Sequence, residues 1–189
     1  MGTIIELALA ERWNELIRGT GRPDWRVTVN YVTEYPDLYL RDVDGEVRAR
    51  IETKTVHDEA DEGAARFDTV TPLIDPSADI LVVAGWRWER VRVRRKQLMY
   101  PHIVASDAFC ASDICVERDT RFRITGGVFK AAGRPFVRAR GGGFVADPGN
   151  YGKLNRIIHR TRRLEDLSEE VRRLSVLWNT IFPKKSRES

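Results

Sequence analysis

Asp37, Glu52 and Lys54 are the residues of this 189-residue chain whose types and spacing could do chemistry. Two acids can hold a hard divalent cation through oxygen ligands, and a lysine beside them can place a positive charge or orient a water. The segment between them predicts how they are arranged. Asp44-Gly45 is a strong signal for a two-residue hairpin turn, because a type I′ turn needs positive φ at both central residues. Residues 38–43 and 46–53 alternate apolar and polar side chains, as half-buried strands do. With Val43 paired to Glu46, facing residues have numbers that sum to 89. Asp37 then faces Glu52, and Lys54 projects from the same side two residues on.

This register places Leu38, Leu40, Val47, Ala49 and Ile51 on a core face. It places Asp37, Tyr39, Arg41, Glu46, Arg48, Arg50, Glu52 and Lys54 on the other. Facing carboxylates destabilise a strand pair by roughly 0.2–1 kcal/mol unless a cation separates them. The competing reading is a solvated charged face on which Arg41, Arg48, Arg50 and Lys54 offset the acids.

These residues resemble the PD-(D/E)xK nuclease superfamily: Pro36-Asp37, fourteen intervening residues, then Glu52-Thr53-Lys54. The resemblance spans residues 3–95. It implies an α/β restriction-endonuclease-like core, a mixed central β-sheet flanked by helices, with a basic β-rich and helical C-terminal half. It implies magnesium, with manganese as a substitute, held by Asp37, Glu52 and the Thr53 carbonyl, with Lys54 at the reacting phosphate. A helix glutamate that many members carry is matched best by Glu11, with Glu15 and Glu6 as other choices. A downstream Gln-x-x-x-Tyr, as in RecB-like members, is absent. The function implied is magnesium-dependent hydrolysis of double-stranded DNA, most simply by a homodimeric type II restriction endonuclease. A structure-selective nuclease, such as a junction resolvase or a transposition or repair subunit, and a non-catalytic DNA-binding module on the same fold are the alternatives.

The charge distribution suits such a role. Residues 1–80 hold 9 Lys/Arg and 17 Asp/Glu; residues 81–189 hold 23 and 11. Acids surround the proposed metal site, and bases that could meet a phosphate backbone lie downstream. The expected DNA contacts are Arg90, Arg92 and Arg94, a ladder opposite buried Val91 and Val93, with Arg134, Arg138, Arg140, Lys153 and Arg156. An edge strand that uses charge against aggregation is the other reading of residues 90–94.

The elements that must position these residues follow from pattern. Residues 3–18 read as an amphipathic helix with Thr3 and Glu6 at capping-box spacing, and residues 25–33 as a strand. Residues 59–70 fit a helix after an acidic first turn, and the apolar run 78–86 a central strand covered on both faces. His57, at a strand end, reads as a polar structural residue. Residues 106–150 look β-rich and irregular. Two helices are expected over 153–163 and 164–182, the second with a stripe that is core or a dimer face. One domain is the natural size. Cys110 and Cys115 read as thiols in a reducing cytoplasm, and no apolar run approaches the ~18–20 residues that span a membrane.

Overall fold

A computed structural model of the chain describes residues 2–32, 34–60, 65–124, 126–130, 133–137, 151–158 and 166–183. It is a mixed α/β fold built on a five-stranded sheet. Helix α1 (Gly2–Arg18) precedes strands β1 (Arg26–Val29), β2 (Leu38–Arg41) and β3 (Val47–His57). Strands β4 (Asp79–Val93) and β5 (Lys96–Cys110) follow, then helix α2 (Ala111–Ile124) and a small ribbon of β6 (Gly127–Phe129) and β7 (Pro135–Val137). Short helix α3 (Leu154–Ile157) and helix α4 (Glu169–Ile181) complete the described elements. The sheet order is β1-β2-β3-β4-β5; β3 and β4 are parallel and the other neighbours antiparallel.

Alternation along the central strands sorts side chains into two cores. Val27, Leu38, Ile51 and Val82 pack with Ala10, Leu9, Trp13 and Ile17 of α1. Val56, Leu81, Val83 and Phe109 pack on the opposite side with Ile114 of α2, Leu154 of α3 and Val171, Leu174 and Trp178 of α4. The apolar run expected as a doubly covered strand is therefore β4, with Leu81 and Val83 on one face and Val82 on the other. The α4 stripe is core: Val171, Leu174 and Ile181 are at most 1% exposed. Ser168 caps α4 by accepting the Val171 amide at 3.3 Å, so the helix starts later than residue 164.

Three expectations are corrected. The helix expected over 59–70 is absent from the described residues there, 59–60 and 65–70, while 61–64 lie outside them; the described residues between β3 and β4 hold only a 3-10 turn, Thr71–Leu73. Buried Arg118 takes the place of helical hydrogen bonding there, donating to the Phe67 and Thr69 carbonyls at 2.9 and 2.8 Å and to the Thr71 hydroxyl at 3.0 Å. Residues 111–124 are helical rather than β-rich: Ala111, Ile114, Cys115, Arg118 and Phe122 form the inward stripe, with an arginine inside an otherwise apolar row. The strand read over 25–33 has only four residues, and Asn14 of α1 caps this edge strand through both directions of hydrogen bonding with Val27, at 2.9 and 2.7 Å. Both cysteines are free thiols, and burial pushes Cys115 up to about 11.

Candidate active site

The hairpin β2–β3 brings Asp37 to Glu52 and Thr53 by a different route from the one expected. The loop contains three residues, Val43, Asp44 and Gly45: the Asp42 amide donates to the Glu46 carbonyl and the Gly45 amide to the Asp42 carbonyl, both at 3.0 Å. Gly45 has φ 82°, a left-handed conformation that glycine adopts without steric cost. A loop one residue longer shifts the pairing to Arg41↔Val47. A bulge at Arg48 then restores Leu40↔Ala49 and Leu38↔Ile51, whose numbers again sum to 89. Turn and bulge cancel, so the expected register holds at the site end although the turn differs. The buried Asp42 carboxylate ties both irregularities together. It accepts the Asp44 and Glu46 amides at 3.0 and 2.9 Å and Arg48 Nε at 2.6 Å. Burial opposes its charge, but these hydrogen bonds prevail and its pKa falls.

Asp37 sits where β2 parts from β3. Asn30 organises the approach: its amide donates to the Asp37 carbonyl at 2.8 Å and its side chain to the Pro36 carbonyl at 2.8 Å. Past the last backbone pair, Asp37 Oδ2 accepts the Thr53 amide at 2.7 Å and the Thr53 hydroxyl at 2.9 Å. The carboxylate thus continues the ladder in the plane of the sheet, instead of standing on the Glu52 face as expected. Thr53, expected to offer its carbonyl to a metal, uses its amide and hydroxyl to hold Asp37.

Glu52 is 7% exposed. Its Oε1 accepts Lys54 Nζ at 2.5 Å, and its Oε2 is buried with no hydrogen-bond partner among the described residues. Burial raises the Glu52 pKa most; Lys54 opposes this, and the charges of Asp37 and Glu6 add to it. Half-buried Glu6 is raised likewise, by burial and then by Asp37, with Thr53 and Lys54 acting the other way. Three acids from α1, the β2 approach and β3 therefore share one electrostatic neighbourhood with a single lysine.

Glu11, the preferred helix match, is exposed, and Glu15 is exposed and paired with Arg12 at 2.6 Å. Five residues rotate a helix by about 140° relative to the start, so Glu6 and Glu11 cannot share a face. The signal was present in the sequence: Glu6 lies three and seven positions before the inward Leu9 and Trp13, beside the face that docks on the sheet.

Next to the site, Arg50 forms a bidentate pair with buried Asp79, Nε–Oδ1 and Nη2–Oδ2 both 2.6 Å, and stacks over Tyr35 at 5.4 Å. His57 packs edge-on against Trp86 at 4.6 Å, and its Nδ1 accepts the Glu59 amide at 3.2 Å.

The described members of the expected DNA-contacting set lie on different elements. Arg90 and Arg92 lie in β4, whereas Arg94 is in the turn after it, with φ 57°. Val91 and Val93 are exposed, not buried. Arg134 and Arg156 are exposed, and Lys153 is half-buried where it bridges Arg66. Arg138 and Arg140 lie outside the described residues.

Among the described residues, no group of three or more His, Cys, Asp and Glu side chains is disposed to hold a metal ion. Magnesium asks for less, since it is commonly bound by one or two carboxylates and keeps several waters. Asp37 and Glu52 offer that donor type, and Glu52 Oε2 is a buried acceptor without a donor among the described residues. No protein-family model, curated protein or solved structure matches the chain.

Proposed function

We propose that this protein is a magnesium-dependent DNA endonuclease that hydrolyses phosphodiester bonds. The observation that carries the reading is the buried Glu52 carboxylate, with one oxygen on Lys54 and the other without a donor among the described residues, beside an Asp37 clamped by Thr53. Asp37 and Glu52 would hold the ion. When bound, magnesium polarises a phosphate oxygen and lowers the pKa of a coordinated water. Thr53 keeps the Asp37 carboxylate oriented through two hydrogen bonds, and Glu6 adds negative charge from α1. Lys54 pairs with Glu52. With a cation held by Glu52, the Lys54 ammonium would be free to orient water or to offset charge that develops on the phosphate. In its simplest form the enzyme is a type II restriction endonuclease acting as a homodimer, because symmetric cutting of two strands calls for two sites. Conversion of supercoiled plasmid to nicked or linear product in magnesium, and its absence in EDTA, tests the reading. Discrete fragments from long duplexes support sequence-specific cutting; selective cleavage of four-way junctions would assign a resolvase instead.

A further inference from the structure

The outer halves of β4 and β5 leave the sheet. Strand β3 ends at His57, opposite Trp86, yet β4 and β5 stay paired to Val93↔Lys96. From Trp88 to Tyr100 every described residue is exposed except Glu89, which is half-buried. This two-stranded arm has two different faces. Trp88, Arg90 and Arg92 alternate on one, paired with Pro101, Met99 and Gln97. Val91, Val93, Leu98 and Tyr100 share the other with Glu89 and Lys96, and are 39%, 49%, 50% and 59% exposed. Arg94, Arg95 and Lys96 form the tip.

The charge of the arm selects its partner. Residues 87–96 hold six Lys/Arg and a single acid, Glu89. Among the described residues, Arg87 is shared with Asp58, and Glu89 is shared with His102. Arg90, Arg92, Arg94, Arg95 and Lys96 have no acidic partner within ion-pair distance among those residues. Five exposed like charges in seven positions form a concentrated positive surface that a polyanion can neutralise with release of its counterions. The major groove of DNA admits a two-stranded β-ribbon, and guanidinium groups bind phosphates and guanine edges bidentately. A second copy of the chain fits the apolar face less well: four side chains are few beside the roughly 20–30 residues per side of a stable interface.

We propose that the β4–β5 arm is a DNA-gripping ribbon, inserted into a groove with Arg90 and Arg92 on the nucleic acid and Arg94, Arg95 and Lys96 at its tip. The proposal rests on the nuclease reading for its substrate and extends it to a contact away from the cut. Val83 pairs with Lys54, and Arg90 and Arg92 lie seven and nine residues further along β4. At about 3.3 Å per residue, the gripping arginines stand roughly 23–30 Å from the lysine.

The test is anisotropy binding of a labelled duplex to the full chain in EDTA, across a salt series, so that binding is read without cleavage. Relative to wild type, R90A/R92A is expected to bind at least about tenfold more weakly near physiological salt, with a log–log salt slope smaller by about 1.8. R90K/R92K is expected to recover most of the slope, and thermal melting checks that the exposed substitutions leave the fold intact. Wild-type affinity and slope in R90A/R92A would overturn the arm while leaving the nuclease reading standing. Arm-dependent binding by a protein that cuts nothing in magnesium would overturn the nuclease reading and keep the arm. No duplex binding by wild type at low salt overturns the proposal. So does a dimer that L98S/Y100S dissociates while R90A/R92A leaves the salt slope unchanged, since the arm would then belong to a second copy.

Discussion

Lys54 Nζ lies 2.5 Å from Glu52 Oε1, while the other oxygen of the same buried carboxylate meets no donor among the described residues. One lysine is thus set against the combined charge of Glu52, Asp37 and Glu6. A cation would relieve that excess, and the consequences can be measured.

Glu52 gives the pH dependence. Its carboxyl, like that of Glu6, is held above the ordinary glutamate value, chiefly by burial. A raised carboxyl pKa contributes stability at low pH that is lost as pH rises through the folded-state value. Metal-free protein is therefore expected to lose stability over that rise, and Glu52→Gln to flatten the loss. Magnesium is expected to raise the melting temperature more as pH increases through the same window, because the ligand must be deprotonated. Thermal melts with and without magnesium, at several pH values, check both; an equal magnesium shift in Glu52→Gln contradicts them.

Glu6 and Glu11 separate the helix assignments. Glu6→Gln is expected to lower magnesium-dependent cleavage by ~10–100-fold, the usual effect of residues that support a metal site. Glu11→Gln, on the exposed side of α1, is expected to match wild type. The reverse order in a plasmid cleavage time course would return the role to Glu11.

Asp79 anchors Arg50, two residues before Glu52 on β3. Its carboxylate is buried and takes both forks of Arg50. Asp79→Ala leaves that guanidinium without its partner and is expected to cost about 3 kcal/mol in urea unfolding. A loss under 1 kcal/mol would mean that the pair is not a structural anchor.

Gly85 lets α4 approach β4. A Cβ built there would lie 2.4 Å from Ile181 Cγ1. Gly85→Ala is expected to cost about 1–3 kcal/mol through overpacking. In an Ile181→Ala background the same change is expected to cost less, with a coupling above about 0.5 kcal/mol in a double-mutant cycle.

Much of this arrangement was legible in the sequence, and the failures have physical causes. Alternation over 38–43 and 46–53 identified the strands, though not their turn-side ends, and the register at Leu38↔Ile51 emerged because a longer turn and the Arg48 bulge cancel. Nothing in Asp44-Gly45 announces that pair of shifts; the carboxylate of Asp42 decides it by capping two amides. Helix α2 was hidden by Arg118, a charge inside the buried stripe that backbone carbonyls of the crossover satisfy. The arm was half legible. Period-two alternation tells which side chains share a face, but not whether anything covers it, so Val91 and Val93 read as buried and are exposed. Glu6 was within reach of helical arithmetic, once the docking face of α1 was counted from Leu9 and Trp13.

Cleavage of supercoiled plasmid in magnesium by wild type, Asp37→Ala and Lys54→Ala is the most direct test of the site. Wild type is expected to nick or linearise the plasmid, with each substitution slowing it by ~10²-fold or more and leaving the melting profile that of a folded protein. Cleavage at wild-type rate by both variants, or none by wild type on any duplex or junction substrate, would contradict the assignment.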